Sequence, residues 1–428
     1  KTSVPSILDR CLGLFLRINP GEGGRVMAMF SYFMLIMITY YLIKPATRAL
    51  MMETWGASNL PMGNLATAFV VVFSVMLFDY LAARYRRHEL VAIMTALAIG
   101  AVVIIWLGFR VSVDVTWRKG LALGFFVYAD IFSVMATTLF WAFCHDFFTP
   151  AEGKRLYGFV GAGGAMGGII GGLISGSYAT VLGTANLQIL SIVPLLLTVA
   201  LAYWISLRAP QPASSASGDN SRLAEKSPTN SKPPKPTGSG AAGRPPAGGL
   251  DGLRLIAGSK YLQAITGLVS IVLIGSLVIE TQFNMTIETE IKGTDNRAGF
   301  MGFRDTQLNM IQFLSQALLT GPMIRWFGLR GVLLVLPLGD LLMGMMYFMQ
   351  PSLNIANWAK IFDGSMKYGT NQVTKEMLYL PTPVQVKYQA KAFIDVFFHR
   401  IAKGLSAVII LLFTQALGFT APQLFYVL

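Results

Sequence analysis

Lys360, Asp363, Lys367 and Asn371 recur at i, i+3, i+7 and i+11 within NWAKIFDGSMKYGTNQ, a spacing that sets all four on one stripe of an α-helix. Such a stripe can bind an anion: the lysines supply charge and donors, the carboxylate steadies a lysine, and the carboxamide adds a neutral partner. A second set, Lys391, Asp395, His399 and Lys403, follows at i, i+4, i+8 and i+12, with Arg400 beside it. Lys44 and Arg48 are one helical turn apart, and Asp130, Glu280 and Asp340 are acids inside apolar runs. On a soluble protein these stripes would simply face water, so their meaning depends on the elements that carry them.

Those elements read as membrane spans. Of 428 residues, 54% are hydrophobic and 13% charged, about half the charged fraction usual for a soluble domain. Apolar blocks of about 20 residues can each cross a hydrocarbon core of about 30 Å. They fall near 25–48, 62–83, 90–108, 119–147, 157–181 and 187–207, and again near 262–283, 303–324, 330–349, 354–379 and 388–417. The closing APQLFYVL reads as the opening of a twelfth helix, truncated in this chain. The opening KTSVPSILDR lacks the short apolar core of a signal peptide, so the first span is expected to be retained.

The net charge of +13 reports topology more than partners. With the N-terminus inside, cations such as Arg10, Arg17, Arg25, Arg84, Arg86, Arg87, Lys154, Arg155, Arg325, Arg330 and Lys387 gather on the cytoplasmic side. Arg110, Arg118, Lys119, Lys292 and Arg297 remain outside. This is the positive-inside bias, and it removes most support for a nucleic-acid partner. Two cysteines, Cys11 and Cys144, and three histidines give no disulfide framework and no metal-ligand spacing. The expectation is an integral protein of a bacterial inner membrane, in contact with membrane lipid, without metal or cofactor.

Residues 208–250 are rich in Pro, Ser, Gly and Lys and nearly free of large apolar side chains. Such a segment cannot bury enough surface to fold and is expected to be a disordered cytoplasmic linker. It divides an N-terminal transmembrane half, 1–207, from a C-terminal half, 251–428. The halves echo one another: Thr149-Pro150 through Lys154 matches Thr382-Pro383 through Lys387, and Leu42-Ile43-Lys44 matches Val278-Ile279-Glu280. An all-α 6+6 bundle built from parallel repeats around a cytoplasmic linker is the major-facilitator-like architecture.

An ionisable group near the centre of a membrane helix costs about 2.5–3.5 kcal/mol on insertion scales, so it normally faces the protein interior or water and serves function. Counting about 1.5 Å per residue from the start of its span, Lys360 is about 9 Å deep and Lys367 about 20 Å. Structural readings compete. Lys44, Arg48, Lys391 and Lys403 are within reach of an interface and can snorkel; Lys360–Asp363 can be a buried pair that fixes helix register. Lys367 has the weakest structural explanation and the strongest case for a substrate pathway. Pro45 is expected to bend the first span. Asp79 with the basic run at Arg84, and Asp146 and Glu152 with Lys154 and Arg155, read as cytoplasmic gating contacts. FVGAGGAMGGIIGG (159–172) lacks the third glycine of a phosphate-binding G-x-G-x-x-G and has no preceding strand. Its Gly163–Gly167–Gly171 and Gly164–Gly168–Gly172 rows instead let helix backbones approach closely.

No Walker motif and no nucleophile with a placed base is present, so an enzyme has no residues to stand on. YYLIKPATRAL, WGASNLP, FWAFCHDFFTPAEGKRLYGFVGAGGAMGG and AKIFDGSMKYGTNQVTKEMLYLPTPVQVKYQAKAFIDVFFHRIAKGLSA resemble the ATP:ADP antiporter family of nucleotide transporters. The resemblance covers both halves. It implies a major-facilitator-like fold and exchange of ATP for ADP, or of similar phosphorylated anions, by alternating access and without hydrolysis. The substrate-binding set expected from residues and resemblance together is Lys44, Arg48, Glu280, Asp363, Lys367, Asn371, Lys391 and Asp395, with Tyr368 and Asn371 toward sugar or base. Rival readings are a facilitator of another organic anion, a peptide or a lipid headgroup, or a non-transporting anchor for further domains.

Overall fold

The computed structural model describes residues 19, 22–85, 87–111, 114–208, 256–379, 394 and 398–428, except the side chains of 79, 87, 88, 146, 150, 151, 154 and 208. The described residues form helices and short turns, with no strand. In the first half these are α1 (Gly23–Trp55), α2 (Leu60–Arg84), α3 (Arg87–Val111), α4 (Val115–Phe147), α5 (Pro150–Leu182), the short α6 (Thr184–Leu190) and α7 (Ile192–Arg208). The second half has α8 (Lys260–Glu290), α9 (Thr294–Leu314), α10 (Thr320–Met349), α11 (Leu353–Met366), α12 (Gln372–Leu378) and α13 (His399–Leu411). π-Helical turns at Ser315–Leu319, Lys367–Asn371 and Leu412–Ala416 continue α9, α11 and α13. Eight helical stretches among the described residues are long and apolar enough to cross a membrane.

Local signals explain the main boundaries. α5 starts at a capping box, in which the Thr149 hydroxyl accepts from the Glu152 N–H and the Glu152 carboxylate accepts from the Thr149 N–H, with Pro150 at the first helical position. Ser259 and Ser352 accept from the N–H groups of Leu262 and Ile355 at the starts of α8 and α11. At Gly293, φ is +86°, a left-handed conformation that glycine adopts without strain; it turns the chain from α8 into α9.

Several boundaries differ from the hydropathy reading. α1 extends to Trp55 and passes through Pro45 as one helix. α9 starts nine residues before the expected 303, because Thr294–Leu314 mixes polar and small residues that an apolar window passes over. The sixth span is divided between α6 and α7. A non-helical residue, Gly328, breaks α10 where one span passes to the next. Residues Pro422–Val427 form a 3-10 turn. The linker, 208–250, lies outside the described residues apart from the backbone of residue 208.

The glycine rows of α5 serve two neighbours. A Cβ on Gly163, Gly167 or Gly171 would meet the α1 carbonyl oxygens of Phe30, Met34 or Ile38 at 2.4, 2.3 and 2.8 Å. The alternate row faces α9: a Cβ on Gly168 would press on Asn309, and one on Gly172 on Thr306 and the Gly302 carbonyl. Backbone contact of this closeness needs small residues on the helix that provides it. α5 thereby joins α1 within its own half to α9 of the other half.

Candidate functional site

Charged side chains from both halves converge at one depth. Measured from the end where α1 and α8 finish and α9 and α11 begin, Arg48, Lys44, Glu280, Asp305, Lys360, Asp363 and Lys367 are seven to fourteen residues in. That is about 10–21 Å at 1.5 Å per residue. They surround a cavity of about 380 Å³, within the range of small-molecule sites. Its lining includes Lys44, Arg48, Arg304, Lys360, Lys367, Arg400 and Lys403 against Asp130 and Glu280, with Asp305 and Asp363 buried near it. Among these described residues seven cations stand against four carboxylates, an excess of three positive charges that suits a multiply charged anion.

Three ion pairs cross between the halves here. Arg48 reaches Glu280 at 3.3 Å, Lys44 reaches Asp305 at 3.2 Å, and Lys403 reaches Asp130 at 3.5 Å. The pairs continue into the second half: Lys360 lies 3.4 Å from Glu280 and 2.9 Å from Asp363, and Arg304 lies 3.1 Å from Asp305. Rings hold some of the same cations, with Lys44 over Tyr41 at 4.9 Å, Arg48 over Phe126 at 5.4 Å and Arg304 over Phe283 at 4.8 Å.

Lys367 is the exception. Among the described residues no carboxylate pairs with it; its ammonium donates to Ser276 Oγ at 2.9 Å and lies 5.6 Å from the centre of the Tyr368 ring. Ser276 in turn donates to Asp363 Oδ1. Asp363, open on spacing to either lysine, is taken by Lys360, and Lys367 faces the cavity with no carboxylate partner among the described residues.

Of the expected binding residues, Lys44, Arg48, Glu280 and Lys367 line the cavity, and Asp363 is fully buried behind it. Asn371 does not line it. The π-helical turn at Lys367–Asn371 bonds i to i+5, so the 3.6-residue stripe loses register after Lys367; Asn371 is buried with its Oδ1 unpartnered. Lys391 and Asp395 lie outside the described residues. Arg304 and Asp305 were missed because the hydropathy window put them at the mouth of a span. The adjacent Arg-Asp pair in a polar, glycine-bearing run was the available signal. Lys403 reaches Asp130 rather than simply snorkelling.

The residues expected to form gating contacts divide in the same way. Arg155 donates to both oxygens of Glu22, at 2.9 and 3.0 Å, a partner not foreseen, and Glu152 caps its own helix while lying 3.8 Å from Arg25. Burial pushes the Glu22 carboxyl up, but the hydrogen bonds from the Asn19 N–H and Arg155 outweigh it and hold the group below its ordinary value. Arg84 is exposed and donates to the Tyr80 hydroxyl. The side chains of Asp79, Asp146 and Lys154 lie outside the described residues. At the opposite end, where α1 finishes, polar contacts join the halves: Thr184 N–H to Asp295 at 2.6 Å, Thr294 to Glu53 at 2.8 Å, Ala57 N–H to Glu288 at 2.9 Å and Gln415 to Ser58 at 3.0 Å.

Residues 28–368 match the model of the Major Facilitator Superfamily. The chain belongs to that superfamily. It is an integral membrane protein, and solved transporter structures share its fold. Over 94% of both chains it is similar to the nucleoside transporter NupG, with TM-score 0.58 and 12% identity. A bacterial homolog of the human lysosomal transporter Spinster, inward-facing and unoccupied, gives TM-score 0.56 and 14% identity over 91% of this chain and 82% of that one. Among curated proteins, ADP,ATP carrier protein 1 of Chlamydia pneumoniae is 24% identical over 71% of this chain and 63% of its own length. The chloroplastic ADP,ATP carrier protein 1 of Arabidopsis thaliana is 23% identical over 67% of this chain and 47% of its own. The chain thus spans between about half and just under two thirds of the length of these relatives.

Proposed function

We propose that the protein exchanges nucleotides such as ATP and ADP, or anions of the same phosphorylated kind, by alternating access. Its N-terminus and the 208–250 segment would face the cytoplasm of a bacterial inner membrane. The observation that carries the reading is the cavity between the halves, where among the described residues cations outnumber carboxylates and Lys367 has no carboxylate partner. The similar ADP,ATP carrier proteins of Chlamydia pneumoniae and Arabidopsis thaliana are named for the same substrates.

On this reading Lys44, Arg48, Arg304, Lys360 and Lys367 take phosphate oxygens. Tyr368 faces the sugar or base, and Asn64 and Asn284, which line the cavity, take the neutral hydrogen bonds first assigned to Asn371. An entering polyanion competes with Glu280, Asp305 and Asp130 for their cations. When it leaves, those pairs re-form or another anion replaces it. Isolated cations in a low-dielectric site are costly, so crossing is favoured with a bound anion, which gives exchange.

A thermal-shift series of ATP, ADP, AMP and adenosine on the purified protein tests the charge reading, and labelled ATP uptake into ADP-loaded and empty proteoliposomes tests exchange. A ligand at 100 times its Kd stabilises by about 2.7 kcal/mol. Protection should rise with phosphate number, and uptake should require internal nucleotide. Equal protection by adenosine and ATP would defeat the phosphate reading, and uptake independent of internal nucleotide would defeat obligatory exchange.

A further inference from the structure

Asp340, on α10, is 2% exposed, and its Oδ1 makes no hydrogen bond. The other acids near the cavity all have cations: Asp130 has Lys403, Glu280 has Arg48 and Lys360, Asp305 has Lys44 and Arg304, and Asp363 has Lys360. Asp340 has none within ion-pair distance among the described residues. α8 packs on it through Gly275, where an added Cβ would lie 3.7 Å from Asp340 Oδ2. Leu336, one turn back, belongs to an apolar cluster with Val272 and Met366. Gly344, one turn on, packs beneath Leu428 and Phe425 of the C-terminal turn.

Among the described residues the charges that act on Asp340 through space are Lys360 and Asp363 on α11 and Lys367 on the π-helical turn. α8 adds Ser276 and, about one turn further, the paired Glu280; Lys375 and Glu376 of α12 follow about two turns beyond Lys367. An ionised carboxylate without a partner in such surroundings is far costlier than the neutral acid.

We propose that Asp340 is a proton site and that its proton travels with the anion bound in the neighbouring cavity. A bound anion brings negative charge to Lys367 and Lys360, and so weakens the positive field that would favour ionised Asp340. Proton and anion then reinforce each other, each raising the affinity for the other by the same factor. The proton is taken from water on the side to which the site opens and returned to water on the other, with no bond change besides the O–H of Asp340. The coupling rests on the anion reading of the cavity, whereas the proton site does not and can be tested without ligand.

Infrared spectra of the ligand-free protein at pH 7 should contain a protonated-carboxyl band that Asp340→Asn removes. ATP affinity is then measured from pH 7.5 to 9.5 for both proteins. The wild type should lose affinity by up to tenfold per pH unit relative to Asp340→Asn, which mimics the protonated state. A band unchanged by the substitution overturns the proton site. A band that disappears, with equal pH slopes in the two proteins, overturns the coupling. If ATP fails to bind either protein while the band behaves as expected, the nucleotide reading and its coupling fall and the proton site stands. Should Asp340→Asn not fold, wild-type protein decides the proton site: the band must be present at pH 7 and fade on raising the pH, and its absence overturns the proposal.

Discussion

Among the described residues Lys367 is the one cavity lysine without a carboxylate partner, and replacing it by methionine removes the charge while retaining an unbranched apolar stem. In the folded protein the change deletes a hydrogen bond to Ser276, and Ser276 keeps its bond to Asp363 while Asp363 keeps Lys360. The lost bond has a charged donor and is worth about 1.5–3 kcal/mol, opposed by the gain from no longer burying a cation without a carboxylate partner among the described residues. Thermal stability without ligand should hardly move. Binding should weaken by about 1.5–3 kcal/mol, the scale of a hydrogen bond to a charged group, or roughly 10- to 150-fold. The loss should be larger for ATP than for AMP, because the contact grows with the charge of the bound group. Lys360→Met is the control: it strands the buried Asp363 and leaves Glu280 with Arg48 alone, and breaking a buried pair costs about 3–5 kcal/mol. The assay is a melting curve of each variant, alone and with ATP, ADP or AMP. A Lys367→Met protein destabilised as much as Lys360→Met, or one that loses ATP and AMP binding equally, would refute the assignment of Lys367 to a phosphate.

Three further outcomes follow from the helices around the site. Gly167→Leu should lower folding yield, because even a Cβ there would lie 2.3 Å from the Met34 carbonyl oxygen; Gly172→Leu, on the row facing α9, should chiefly slow transport, and nucleotide affinity in the folded fraction should hold for both. With Cys11 and Cys144 replaced, cysteines at Ser215 and Lys292 should react with an impermeant maleimide from opposite sides of the membrane, since the cations predict the linker inside; labelling from one side would end the 6+6 topology. Glu22 is held below its ordinary value of 4.5, so its contribution is fully present above that pH and is lost as pH falls through its folded value. Melting temperatures of wild type and Glu22→Gln should converge on acidification below 4.5, and a constant gap would place the stabilisation elsewhere.

The class of fold was legible because hydrocarbon imposes a length on every span and a scarcity of charge, and neither depends on tertiary detail. Residues inside apolar blocks followed the same logic, which is why Lys44, Arg48, Glu280 and Lys367 were found and do line the cavity. Arg304 and Asp305 escaped it. Their helix is polar and glycine-bearing because it packs against α5 and the cavity instead of lipid, so hydropathy placed its start too late and its charges at the surface. Asn371 failed for a local reason: one π-helical turn shifts every later residue around the axis, and period counting assumes it away. Partner choice was the least legible feature. Spacing allowed Asp363 to reach either lysine, and only the position of Ser276 on α8 separates them, leaving Lys360 with the carboxylate and Lys367 with the hydroxyl.

That division of labour bears on exchange. Arg48–Glu280, Lys44–Asp305 and Lys403–Asp130 each join one half to the other, so they depend on how the halves sit. On the exchange reading, an anion that takes over those cations leaves Glu280, Asp305 and Asp130 partly uncompensated unless it lies between the halves and holds both. A polyphosphate spans several donors at once, whereas a single carboxylate or phosphate engages only some of them. Selection for multiply charged anions and the need for an anion to cross are then one property, because both follow from ion pairs that must break together. Neutralising the pairs in couples, such as Arg48→Met with Glu280→Gln, should separate that property from folding: the double variant should fold and exchange more slowly, with a smaller preference for ATP over AMP. If it retained both rate and preference, the cross-half pairs would be structural ties and the exchange argument would lose its physical basis.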